Sequence, residues 1–342
     1  MGFLRDGEWR DDRDGFAGSD GRFARAETRF RDWITPDGAP GPRGRGGFKA
    51  ESGRYHIYVS LACPWAHRTL IFRAIKGLEA HIGVDVVHPL MREAGWSFAD
   101  DWPGATGDRL NGVGYLRDIY LRADPRATGR VTVPVLWDRT TGTIVSNESA
   151  EIIRMLNSAF DAITGNGDDY WPEALRPEIE AVNARVYAGV NNGVYRAGFA
   201  TTQAAYDEAA AEVFATLDWL ESRLGERRWL LGERLTESDW RLATTLFRFD
   251  AVYHGHFKCN RRRLIDYPNL WAYARALYQH RGVAETVNFN HITNHYYASH
   301  RSLNPSGIVP IGPEIDWSAP HGRSGGQPPE ARSRPAAAER AP

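Results

Sequence analysis

The chain has 342 residues, 42% of them hydrophobic and 25% charged, which is enough to bury one large core or two. Its 42 Lys and Arg nearly balance 43 Asp and Glu, so no overall field advertises a nucleic-acid or anionic-membrane partner, and a small or uncharged ligand is left open. Two cysteines, Cys63 and Cys259, cannot build a disulfide framework, which leaves their thiols available for chemistry in a reducing compartment.

The N-terminal MGFLRDGEWRDDRDG carries charges where a signal peptide needs an apolar run, and no stretch is long and apolar enough to span a bilayer, so a cytoplasmic location is expected. Residues 1–50, rich in Arg, Asp and Gly with scattered aromatics, read as a loop-like extension pinned by Phe30 and Trp33. YHIYVS (55–60) then has the β-branched and aromatic content of a strand. It is followed directly by Cys63-Pro64 and the helical WAHRTLIFRAIKGLE (65–79). VDVVHPL (84–90) reads as a second strand. After an insertion containing Gly and Trp, VTVPVLWD (131–138) and GTIVSN (142–147) read as a third and fourth, joined at Arg139-Thr140-Thr141-Gly142. ESAEIIRMLNSAF (148–160) spaces Ile152, Ile153, Leu156 and Phe160 as a helix does. The order β-α-β, insertion, β-β-α is that of a thioredoxin-like layer over residues 51–165.

From about residue 172 strand candidates disappear. Helical segments at 176–195, 206–224, 238–253 and 267–279 define an all-helical unit over 172–317, with Thr236 and Asp239 set as a capping-box-like start. The remainder, 318–342, has too little large apolar surface to offset its ordering entropy and is expected to be disordered. The fold class expected is an α/β thioredoxin-like N-terminal domain plus an all-α C-terminal domain.

This pairing resembles the glutathione transferase superfamily over about residues 50–310. Within it, CPWAHR, TVP, SNES and the C-terminal tyrosines resemble the glutathionyl-hydroquinone reductases, the Xi-class glutathione transferases. The resemblance implies glutathione-dependent reduction of glutathionylated hydroquinones, with glutathione as co-substrate, no permanently bound cofactor, and a homodimer.

Cys63 carries half of a C-x-x-C pair, with Ala66 where a resolving cysteine would stand. At the start of a helix, with Pro64 at the first helical position, the unpaired backbone N–H groups and helix dipole favour thiolate, and Arg68 one turn on can add to this. The expectation is a nucleophile near neutral pH. Without an internal partner, a mixed disulfide at Cys63 must wait for an external thiol, which points to a monothiol glutathione cycle. Cys259, in HGHFKCN, reads as a small buried hydrophobe.

A bound tripeptide needs backbone, ammonium and carboxylate partners. Val133, before Pro134, can supply backbone pairing. The resemblance implies a cis bond there, and a plain strand-start proline is the other reading. Glu148 and Ser149 open a helix, where they can hold a γ-glutamyl ammonium and carboxylate or serve only as a cap; beside Cys63 and Val133-Pro134, binding is the preferred reading. Trp96 and Arg130 are glutathione contacts by resemblance alone. So are Tyr195, Tyr253 and Tyr296 as the walls of a hydroquinone site, chosen from 14 tyrosines, with Tyr195 and Tyr296 also as catalytic groups. His291 and His295 are four apart, and His254 and His256 two apart, but no third ligand accompanies either pair, so no metal site is expected. Three functional readings remain open: the hydroquinone reductase, an omega-like thioltransferase or dehydroascorbate reductase using the same Cys63, and a noncatalytic glutathione-binding scaffold.

Overall fold

The structure is a computed structural model that describes residues 2–11, 18–25 and 27–323. Strand β1 (Phe3–Arg5) and β2 (Glu8–Arg10) form a hairpin in the N-terminal extension, and β1 also pairs with β5 (Gly129–Arg130). The extension is therefore more than a loop. Leu4, Ile34 and Phe48 bury their side chains in the main core, while Phe30 and Trp33 pack partly buried against it.

The central sheet contains β3 (Tyr55–Val59), β4 (Gly83–Val86), β6 (Val135–Asp138) and β7 (Thr143–Ser146), in the order β4-β3-β6-β7. β3 and β4 are parallel, whereas β6 is antiparallel to both β3 and β7. All five residues of β3 are buried, as suits a strand covered on both faces. The third strand begins only at Val135, because Val131–Pro134 leave the ladder and the Val133-Pro134 bond is cis. The crossover from β3 to β4 is helix α1 (Pro64–Ile75). The insertion after β4 contains a further helix, α2 (Leu116–Ala123), and α3 (Ser149–Ser158) packs beside α1.

After a single turn, α4 (Asp161–Thr164), the chain is helical: α5 (Arg176–Val186), α6 (Gly193–Gly198), α7 (Gln203–Glu226), α8 (Glu237–Arg248), α9 (Pro268–Tyr278) and α10 (Phe289–Ser299). The segment expected as one helix from 176 to 195 is interrupted by a π-helical turn at Tyr187–Asn191, and a second such turn at Phe249–Tyr253 follows α8. Such widened turns re-aim the side chains beyond them. The Asp239 carboxylate accepts the Thr236 backbone N–H at 2.8 Å, closing the start of α8. Gly198 permits a close crossing: a Cβ there would lie 2.2 Å from the Phe257 ring, which packs on Tyr195, Tyr253 and Tyr296.

The expected disorder does not begin at residue 318. Arg275 donates to Pro320 O (2.8 Å), Gln279 to Ala319 O (2.8 Å), and Arg323 caps the carbonyl-rich end of α7 through Leu224 O (3.0 Å) and Arg228 O (2.8 Å). Hydrogen bonds made by polar side chains hold this segment beyond the buried Trp317. The rest of that expectation, 324–342, lies outside the described residues. Among the described residues no helix is long and apolar enough to cross a membrane.

Candidate active site

Cys63 is the N-cap of α1, extended at φ −76° and ψ 122°, and its carbonyl accepts the His67 N–H at 3.0 Å while Pro64 occupies the first helical position. The sequence dictates this: proline fixes a helical φ and lacks the N–H that a helix start would leave unpaired. The thiol is half-buried, its Sγ 3.7 Å from Val133 O, so the turn before β6 and the start of α1 meet at the sulfur.

Around it opens a cavity of about 540 Å³ between the two domains and the extension. Its lining includes Val133, Arg130, Trp96 and the start of α3 together with Trp65, Tyr195, Tyr296 and Phe199. Glu148 is the N-cap of α3: its Oε1 accepts Ala150 N–H at 3.0 Å and its Oε2 accepts Thr28 Oγ–H at 3.1 Å. It thus caps the helix and still lines the cavity. Ser149 lines the cavity at the first residue of α3, where backbone N–H groups favour an anion. Trp96 stacks on His295, ring centroids 4.8 Å apart.

The tyrosines divide. Tyr195 and Tyr296 line the cavity with their hydroxyls 2.5 Å apart. Tyr253 is fully buried behind them and does not line it; its hydroxyl is 3.0 Å from that of Tyr296. The π-helical turn that carries Tyr253 packs it flat against Phe257, which takes it off the wall. Burial pushes all three phenols above their ordinary pKa, most for Tyr253 and Tyr296, and the cluster remains protonated at neutral pH.

The Cys63 thiol departs from expectation. Burial pushes it above its ordinary value. The Ala66 N–H, the Arg248 guanidinium, the Trp65 N–H and Arg25 pull it down but do not outweigh that burial. Arg68 adds a weaker attraction to the thiolate from where it lies, hydrogen-bonded to Asn191 Oδ1 (2.9 Å) and Arg241 O (3.3 Å). Helix position alone announced the donors; it could not announce the protein wall that excludes water. Burial also pushes Cys259 up to about 12, consistent with an inert thiol.

Two arginines matter that residue patterns did not single out. Arg248, at the end of α8, reaches beneath the 61–63 turn, and Arg25 comes from the extension to lie over Trp65 and Tyr195. Nothing local marks either, since each acts on a site far away in sequence. His291 and His295 each donate a ring N–H to a backbone carbonyl, of Pro103 and Pro89, at 2.8 and 2.9 Å. His256 Nε2 and His300 Nδ1 are 3.2 Å apart. Among the described residues no three metal-ligating side chains converge.

The arrangement supplies a thiol at a helix start, an anion-favouring helix N-terminus on one side and neutral phenols on the other. The glutathione S-transferase N-terminal domain model matches residues 62–159, and the C-terminal domain model matches 203–276. The chain is 58% identical to glutathionyl-hydroquinone reductase YqjG of Escherichia coli over 94% of its own length and 98% of that protein. It is 54% identical to glutathionyl-hydroquinone reductase PcpF of Sphingobium chlorophenolicum over 92% and 96%. The solved structure of glutathione-bound YqjG superposes with a TM-score of 0.88 at 57% identity, covering 94% of this chain and 99% of that one. A Xi-class transferase from Natrialba magadii gives 0.86 at 48%, covering 94% and 96%. The chain belongs to the glutathionyl-hydroquinone reductases, the Xi class of the glutathione transferases.

Proposed function

We propose that the chain reduces glutathionyl-hydroquinones to hydroquinones with glutathione as reductant, through a mixed disulfide at Cys63. The observation that carries this reading is the solitary Cys63 sulfur at the start of α1, facing one cavity that also holds the start of α3 and the Tyr195–Tyr296 pair. Glutathione fits the first half: Val133 for its backbone, Glu148 for its ammonium, Ser149 and the α3 N-terminus for its γ-glutamyl carboxylate, and Trp96 and Arg130 as further contacts.

The chemistry must first make a leaving group. An aryl carbanion is too basic to depart, so the ring carbon bearing sulfur takes a proton and the hydroquinone passes through its keto tautomer. Cys63 thiolate then attacks the glutathionyl sulfur. A Cys63–glutathione disulfide forms, the sulfur–carbon bond breaks, and its electron pair leaves as the enolate of the hydroquinone. The neutral phenols of Tyr195 and Tyr296 are placed to deliver protons and to donate to that oxyanion, with Tyr253 holding Tyr296 from behind. A second glutathione thiolate attacks the mixed disulfide, so the substrate carbon is reduced and two glutathiones leave as oxidised glutathione. A buried thiol ionises less readily at pH 7, but its thiolate is the more nucleophilic for its higher pKa. The need for reduced glutathione supports a cytoplasmic location, and the family resemblance supports a homodimer, which light scattering tests.

The test is chromatography of the purified protein with a glutathionyl-hydroquinone and excess glutathione, beside Cys63→Ala, Cys63→Ser and a disulfide substrate. Free hydroquinone with matching oxidised glutathione, abolished in Cys63→Ala and nearly so in Cys63→Ser, is expected. Reductive turnover by the alanine variant sinks the mechanism. Turnover of the disulfide alone would assign a general thioltransferase instead, and silence on both a binding protein.

A further inference from the structure

Resting on that reductase reading, we propose that Arg25 selects the substrate ring: the cavity is built for hydroquinones that carry an anionic substituent, a ring carboxylate above all. Arg25 reaches the site from the N-terminal extension. Its guanidinium carbon lies 4.6 Å from the Trp65 ring centroid, 5.0 Å from that of Tyr195 and 5.4 Å from that of Phe23. Its Nε donates to Asn192 Oδ1 at 3.0 Å. A guanidinium stacked on aromatic rings and tied at one nitrogen has its plane fixed and its outer N–H groups left for a planar acceptor.

The other arginines of the extension that line the cavity are committed to carboxylates. Arg29 pairs with Asp124 at 2.6 Å, Arg31 binds Glu151, and Arg43 lies 3.8 Å from Glu151. Arg25 has no carboxylate within ion-pair distance among the described residues. Glu27, exposed two residues on and also on the cavity lining, forms no ion pair with it. Arg25 further belongs to the tyrosine half of the cavity, because the ring it covers is that of Tyr195, whose hydroxyl meets Tyr296. A carboxylate on the ring bound there meets a fork of preset geometry, while a neutral ring gains only stacking. Arg25 is exposed, so water shares the anion and the preference belongs at the lower end of the roughly ten- to hundred-fold that one charge-assisted hydrogen bond confers.

The experiment compares glutathionyl-2,5-dihydroxybenzoate with glutathionyl-methylhydroquinone in the wild type, Arg25→Gln and Arg25→Lys. Arg25→Gln is expected to lower kcat/KM for the carboxylated substrate about ten-fold relative to the neutral one, with Arg25→Lys between. Alongside, binding of free 2,5-dihydroxybenzoate is followed by tryptophan fluorescence, since Trp65 lies under Arg25. Its affinity should fall by the same factor in Arg25→Gln. Equal loss on both substrates, or no loss on either, overturns the assignment. If neither substrate is turned over by the wild type yet the acid binds in an Arg25-dependent manner, the reductase reading fails and the anion subsite stands. Neutral-ring turnover with binding indifferent to Arg25 gives the reverse.

Discussion

Replacing Arg248 by methionine strikes the nucleophile from the opposite domain. Arg248 is fully buried; its Nε donates to Ala62 O (2.8 Å), its Nη2 to Leu61 O (3.1 Å), and its Nη1 to Thr244 O (2.7 Å) and His67 Nδ1 (3.0 Å). Since arginine only donates, His67 Nδ1 is the acceptor. Its proton sits on Nε2, which bonds Thr286 Oγ1 at 2.7 Å, and burial followed by the Arg248 charge keeps this imidazole neutral. In Arg248→Met, Ala62 O, Leu61 O and His67 Nδ1 lose this donor, at about 1–3 kcal/mol each; the relief of no longer burying a guanidinium returns part, leaving about 3–5 kcal/mol of destabilisation. That is a large share of a typical domain's stability, so urea unfolding will read it and Arg248→Lys, which keeps a charge, should lose less. Arg248 is also the cation that does most to lower the Cys63 thiol, so iodoacetamide alkylation of the methionine variant should need a higher pH than the wild type. A variant within about 1 kcal/mol of wild type and with an unchanged alkylation profile would refute the coupling of α8 to the 61–63 turn.

With burial holding the Cys63 thiol above its ordinary value, alkylation and kcat/KM for the glutathionyl-hydroquinone should keep rising with pH through the neutral range, and a plateau already reached at about pH 6 contradicts this. Tyr296→Phe, which removes the hydroxyl shared by Tyr195 and Tyr253, should lower kcat about a hundred-fold with a small change in KM, and Tyr253→Phe, behind the wall, less than ten-fold; steady-state kinetics that rank them the other way reject the assignment. Burial alone would raise the Asp138 carboxyl, but bonds from Arg54 (2.9 and 2.7 Å), Thr141 and Thr140 hold it below its ordinary value. Its contribution is therefore present above the unfolded carboxylate pKa and lost as pH falls through the folded one. Asp138→Asn should cost about 3–5 kcal/mol at neutral pH and progressively less in acid, measured by Tm against pH.

What the sequence discloses are features whose cause is local. Cys63-Pro64 fixes a helix start by proline's own φ, and Glu148-Ser149 opens the next helix by the side-chain chemistry of caps, so both were legible as residues in a row. Tyr253 and Tyr296 look alike in the sequence. Both pack on Phe257, across the crossing that Gly198 permits, but Tyr253 lies flat against it behind the wall while Tyr296 meets it edge-on and lines the cavity. The direction of the Cys63 shift has the same origin: a helix terminus is visible in the letters, whereas burial of the thiol is a tertiary quantity. Trp317 shows the converse, since one buried aromatic contacting Phe247, Trp271, Tyr278 and Phe289 anchors a segment whose composition past it argues for disorder.

The extension is where composition misleads most, and the reason bears on function. Read alone, it lacks the apolar content to fold. Its order is borrowed through charge and caps: Arg31 is held by Glu151 on α3, Thr28 donates to Glu148 at the cap of the same helix, and the Phe30 N–H donates to Asn147 Oδ1 at 3.2 Å. Each of these partners lies at the helix start that lines the glutathione side of the cavity. A few residues earlier, Phe23 and Arg25 cover Tyr195 on the ring side. One short run of chain thus touches both halves of the cavity, and whatever orders it against α3 also sets Arg25 over the ring site. On the proposed reading, glutathione binding and ring selection both depend for this reason on the same segment, although nothing in residues 18–35 resembles a catalytic motif.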